Sequence, residues 1–155
     1  MKKVLGIVFV LLMVMAAVRC STTKAQNPSP TKSSASPIEG TWELISNYNY
    51  DGGEITDTIP LQKGYRQIKM YYNGKVMWTR YVPTDSVEWF GYGSYITTDT
   101  TLTEILEYMS SSMRKIANAN MEWNMKLQMK KDRYSQIFID DEGGPISSEN
   151  YKRIH

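Results

Sequence analysis

Side chains able to do chemistry are few in this 155-residue chain, and few of them stand at working distances. The only histidine, His155, is the last residue, in the kind of terminal position that frays unless something ties it down. The only cysteine, Cys20, lies ahead of the part that can fold, so neither a Cys–His pair nor a Ser–His–Asp set can be built in a core. A Gly-rich phosphate loop and metal-ligand spacings are both missing. Asp140, Asp141 and Glu142, followed by Gly143 and Gly144, bring three hard oxygen ligands side by side. Their spacing is not that of a calcium loop, and three acids beside two glycines read first as a solvated hairpin tip. Met121, Met125 and Met129 suit adaptable core filling better than soft-metal ligation. These residues predict no metal, no cofactor and no enzyme.

The elements that must position any site begin with an export signal. Lys2 and Lys3 precede an apolar run of 15 residues, Val4–Val18. That length fits a secretory leader and falls short of the roughly 20 residues of a membrane span. Cys20 follows at the place where a bacterial lipoprotein carries its lipidated cysteine, although Ala17, Val18 and Arg19 depart from the usual small-residue pattern. The competing cleavage site is Thr23-Lys24-Ala25, cut before Gln26. Residues 1–25 are thus a signal peptide or lipoprotein leader. Residues 26–37, rich in Pro and Ser, form a tether that cannot build a core. The expected location is the periplasm or the outer membrane, held there through Cys20, or else the exterior as a secreted protein.

Residues 38–155 remain, a length suited to one domain with one core. The leader and tether take five of the 18 basic residues and none of the 16 acidic ones, so this domain has 13 against 16, or −3. It has no basic stripe, which argues against nucleic acid. All four Trp and all eleven Tyr fall inside it. Its pattern is mostly that of strands: 40–46, 65–72, 75–82, 90–97, 121–131, 133–140 and 149–155. Asn73-Gly74 is a strong two-residue hairpin turn, and Trp123, Met125, Leu127 and Met129 alternate with polar residues over a full strand. The segment 47–64 reads as turn-rich, broken by Asp51-Gly52-Gly53. At 102–109 a helical stripe (Leu102, Ile105, Leu106, Met109) competes with a strand pattern. Many short sequential strands with tight turns predict an all-β antiparallel up-and-down barrel of about eight strands, with a short helix or loop near 110–120.

Gly40-Thr41-Trp42 resembles the Gly-x-Trp of the first lipocalin strand, and Arg153 resembles the basic residue that packs over that Trp near the barrel's end. More narrowly, the domain resembles the small lipocalin-like domains of secreted Bacteroidetes proteins. Trp78, Gly93-Ser94-Tyr95, Leu102-Thr103-Glu104 with Tyr108, and Tyr151-Lys152-Arg153 stand for the recurring motifs there, with Leu102 and Tyr151 replacing aromatics. The resemblance implies that 102–109 is a strand, and that Gly40, Trp42 and Arg153 close one end of the barrel. Alternate residues would line the lumen: Val76, Trp78 and Arg80 on one strand, Gly93 and Tyr95 on another, Glu104 and Tyr108 on a third. Trp78, Arg80, Tyr95, Glu104 and Tyr108 are therefore the candidate ligand contacts, for a small apolar or amphipathic molecule. Alternatively the same side chains fill the barrel, Arg80 pairs with Glu104 or both face water, and the protein acts as a structural module of the envelope. In that case the aromatics at Tyr48, Tyr50, Trp89 and Phe90 would be exposed for docking. Oligomeric state is left open.

Overall fold

Two-residue turns set the register of this chain. The computed structural model describes residues 36–155. The leader, Cys20 and the tether as far as residue 35 lie outside the described residues. The elements run β1 (Gly40–Asp51), β2 (Glu54–Ile59), β3 (Arg66–Tyr72), β4 (Lys75–Tyr81), β5 (Trp89–Thr97), β6 (Thr101–Met109), α1 (Ser111–Ala117), β7 (Glu122–Lys130), β8 (Arg133–Ile139) and β9 (Pro145–Arg153). Between β3 and β4, Asn73 (φ 48°) and Gly74 (φ 74°) both take the left-handed conformation, so Tyr72 pairs with Lys75 and Lys69 with Trp78. A second tight turn, Lys131-Asp132, pairs Lys130 with Arg133.

Eight antiparallel strands form a closed barrel in the order β1-β3-β4-β5-β6-β7-β8-β9, with β9 returning to β1. β2 is an additional strand on the far half of β1. The turn-rich reading of 47–64 is corrected here. Gly52 and Gly53 make a compact hairpin turn, and β1 runs on to Asp51 with β2 paired beside it. All six β2 residues are exposed, so no alternation of apolar and polar residues marks them as strand. Past a register shift between Leu44 and Ser46, β1 continues along β9, where Tyr50 and Ser148 share a hydroxyl hydrogen bond of 3.3 Å.

The 102–109 stretch is strand β6, and the segment after it is a helix. Ser110 caps α1 by accepting from the Met113 amide at 3.3 Å, and Asn118 ends it in the left-handed conformation. β6 carries a bulge: Tyr92 pairs with Tyr108 but Gly93 pairs with Leu106, leaving Glu107 as the extra residue. Only a glycine fits at 93, since a Cβ there would lie 2.0 Å from the Ile105 carbonyl oxygen.

One core fills the closed end and lower lumen. Trp42, Tyr71, Val76, Leu102, Tyr134 and Tyr151 are buried in it, together with Ile38 from just ahead of β1. Tyr134 meets Trp42 edge-on at 4.8 Å and stacks on Tyr151 at 4.8 Å, geometries that add to the area these rings bury.

Candidate functional site

Three layers follow one another along the barrel axis. The lowest is the closed end. Trp42 is 0% exposed, and its indole N–H donates to the Ile38 carbonyl at 2.7 Å. The Arg153 guanidinium lies 4.0 Å above the Trp42 ring centre. Its Nη1 and Nη2 donate to the carbonyls of Glu39 (2.6 Å) and Pro37 (2.8 Å), so this arginine also ties down the chain entering the barrel. Gly40, at φ 136°, passes so close that a Cβ would sit 2.2 Å from Arg153 Nη1.

Above it lies a belt of polar residues aimed inward. Lys69 and Glu104 are each 4% exposed and form an ion pair at 2.9 Å. Lys69 donates to both Glu104 oxygens and to Gln136 Oε1 (2.9 Å), which uses all three ammonium protons. Tyr71 donates its hydroxyl to Glu104 Oε1 at 2.5 Å. Gln136, Gln67 and Tyr151 each donate to Glu149 Oε2, at 2.9, 3.2 and 2.6 Å. Among the described residues every buried side-chain nitrogen and oxygen has a partner. Removing two charges from water is costly, and a belt of this kind survives because each charge is paired and hydrogen-bonded. Burial, aided by the nearby Glu104 charge, holds the Tyr71 phenol well above its ordinary pKa of 10.0. Burial first, then the Glu149 charge, does the same for Tyr151, and burial dominates for Tyr134.

The third layer is an open recess of about 140 Å³. Its apolar wall comes from Trp78, Leu106, Met113, Trp123, Met125 and Phe138, and the belt is its floor. Gly91 makes room for Trp78, since a Cβ there would meet the indole Nε1 at 2.5 Å. Met113 arrives from α1, packing the helix against the mouth. Arg80 stands at the rim. Its guanidinium lies 6.0 Å from the Tyr65 ring on the β3 side and 5.7 Å from the Trp89 ring on the β5 side. Nε donates to Gln67 Oε1 at 2.8 Å, an oxygen also held by the Tyr65 hydroxyl at 2.7 Å. The contact to Glu149 is an ion pair at 3.5 Å, too long for a good hydrogen bond.

Of the five lumen candidates, Trp78, Arg80 and Glu104 meet at the recess. Tyr95 faces inward but lies deeper, edge-on to Tyr71 at 5.0 Å and away from the recess. Tyr108 is a correction. The bulge at Glu107 turns it outward, where it is 57% exposed and stacked on Tyr92 at 5.3 Å. The expected alternative pairing of Arg80 with Glu104 also fails, because Lys69 takes Glu104 and Glu149 takes Arg80. Tyr48, Tyr50, Trp89 and Phe90 are half-buried rather than exposed. Asp140 spends its carboxylate on the Glu142 and Gly144 amides of its own turn.

Sequence reasoning missed Gln67, Lys69, Gln136 and Glu149. β3 places Gln67 and Lys69 inside and Ile68, Met70 and Tyr72 on the outer side, against simple hydropathy, while Gln136 comes from β8 and Glu149 from β9. The signal was present in the Asn73-Gly74 turn. A two-residue hairpin makes Lys69 the partner of Trp78 and Gln67 the partner of Arg80, so if Trp78 faces inward Lys69 must as well.

No protein-family model matches this chain, and no curated protein matches it. Among solved structures, it is similar to an uncharacterized protein from Bacteroides eggerthii DSM 20697. The TM-score is 0.49 at 15% sequence identity, covering 75% of this chain and 98% of that one.

Proposed function

We propose that this chain is an exported lipocalin-like protein that binds a small apolar or amphipathic molecule in the mouth of its barrel and does no chemistry on it. The observation that carries the reading is the recess itself: aromatic and aliphatic walls over a polar floor. Apolar walls supply contact area and a few convergent polar groups fix orientation, the usual composition of a small-molecule site. The belt needs no ligand to complete it, so the recess is the space left for one. Its size restricts the occupant. About 140 Å³ is near the volume that accepts a benzene-sized molecule, and well below the roughly 300 Å³ at which drug-sized sites begin. The reading therefore calls for a small ring or short branched chain with its head at the rim, not a long lipid threaded through the lumen.

One observation favours the other reading, a side-chain-filled structural module. The lower lumen is packed solid, while Met70, Met77 and Tyr108 are exposed and line up with Tyr92 across four neighbouring strands on the outer surface. Native mass spectrometry of the protein from an exporting host, followed by organic extraction, separates the two. A reproducible small adduct, lost when Trp78 is replaced by Ala, supports the binding protein. A clean apo mass, with no small aromatic or aliphatic probe shifting the Trp78 environment, rejects it in favour of the filled barrel. Lipidation at Cys20 is tested in the same spectra by the acyl mass on the mature chain.

A further inference from the structure

Arg80 is the one lining cation whose donors are not used up among the described residues. Lys69 has all three protons committed within the belt. Arg80 commits only Nε, to Gln67; its Nη groups make no hydrogen bond among the described residues, and Nη2 faces Glu149 Oε1 as an ion pair at 3.5 Å. Yet the guanidinium is not loose. Tyr65 and Trp89 flank it, and the Tyr65 hydroxyl fixes the Gln67 oxygen that receives Nε. A planar fork held in place with its outer edge open is prepared for a planar two-oxygen partner, which it meets with two parallel hydrogen bonds.

From this we infer that the recess selects a small organic carboxylate. Its head would pair with the Nη edge of Arg80, and its ring-sized apolar body would lie against Trp78, Leu106, Trp123 and Phe138. This rests on the binding reading above and names the ligand's chemistry. Charge decides between carboxylate and phosphate. Lys69 and Arg80 are balanced by Glu104 and Glu149, so the lining is neutral overall. The open Nη edge can take up one carboxylate, which brings the lining to −1. A dianion would place a second uncompensated charge beside Glu149 in a half-enclosed site, where screening is weak.

Calorimetric titration of the full chain with benzoate, benzyl alcohol and benzylamine tests this, since the three share a body and differ in the head. Benzoate binds at least about tenfold tighter than the alcohol, the ratio expected for a charge-assisted hydrogen bond, and the amine binds weakest. Arg80→Gln brings benzoate to the alcohol's affinity, and Arg80→Lys, lacking the fork, recovers only part of the difference. If Arg80→Gln fails to fold, salt replaces it: added salt weakens benzoate more than the alcohol. Equal affinity of alcohol and benzoate overturns the carboxylate while leaving the recess as a binding site. Absence of binding by all three overturns both.

Discussion

Arg153 and Arg80 sit at opposite ends of one barrel, each held against aromatic rings, and they differ in what their remaining donors do. Arg153 covers Trp42 and gives both Nη groups to backbone carbonyls of residues 37 and 39. Arg80 is flanked by Tyr65 and Trp89 and gives only Nε to a side chain. An arginine whose fork closes on its own chain is part of the fold. One whose fork is left open beside a recess is available to something else. The buried Lys69–Glu104 belt between them belongs with the first kind, because each of its donors and acceptors is spent internally.

If the closed end is structural, removing its centre should have the largest effect. Trp42→Ala is expected to destabilise by about 3–5 kcal/mol through lost burial and the cavity left behind. Its indole bond to Ile38 and the Arg153 contact go with it. Urea denaturation measures this, and a loss below about 1 kcal/mol would remove the plug from the account.

The belt comes next. Lys69→Met leaves Glu104 buried without its cation, a change that typically costs about 3 kcal/mol or more. The double change of Lys69→Met with Glu104→Leu should recover much of that loss, because burying two apolar chains avoids desolvating a pair of charges. It leaves Gln136 Oε1 and the Tyr71 hydroxyl short of a partner, so recovery is incomplete. A double variant no better than the single would mean that the belt is not a self-contained network.

The same region predicts an alkaline limit. Folding raises the pKa of the Tyr71, Tyr134 and Tyr151 phenols. The unfolded chain releases these protons near pH 10 while the folded chain keeps them, so above that pH the unfolded state binds fewer protons and stability falls. The stabilisation is complete below about pH 10 and is lost as pH rises from there toward the folded pKa values. Each phenol contributes a slope of about 1.4 kcal/mol per pH unit in that window. Urea midpoints that stay flat from pH 9 to 11.5 would show that the three rings ionise in place.

Much of this arrangement was legible in the residues. The eight-strand barrel followed from alternation and tight turns, and the pairing of Trp42 with Arg153 from the resemblance of Gly40-Thr41-Trp42 and Arg153 to the first-strand and barrel-end residues of lipocalins. Three things were not. β2 buries nothing, so it leaves no hydropathy pattern. The extra residue in β6 shifts Tyr108 outward, and neither its own sequence nor β5 marks it, apart from the glycine at 93. The belt was hidden because period-2 reasoning sends Gln67 and Lys69 to solvent. Only the register imposed by Asn73-Gly74 brings them in, and that inference has to be made across two strands rather than along one.

The two arginines give the smallest effects and the sharpest test of their difference. Arg153→Ala loses a close cation–π contact and two hydrogen bonds that tie residues 37–39 to the barrel, for an expected cost of about 1–2 kcal/mol. Arg80→Ala should cost less, under about 1 kcal/mol. Its side chain is 31% exposed, and Gln67 Oε1 keeps the Tyr65 hydroxyl as donor. Glu149 likewise keeps three hydrogen bonds without it. Paired urea curves compare the two directly. Equal losses would make Arg80 a second structural clamp and leave the rim with nothing built to receive a ligand. A clear gap, with Arg153 the costlier, is what an open fork held ready at the mouth requires.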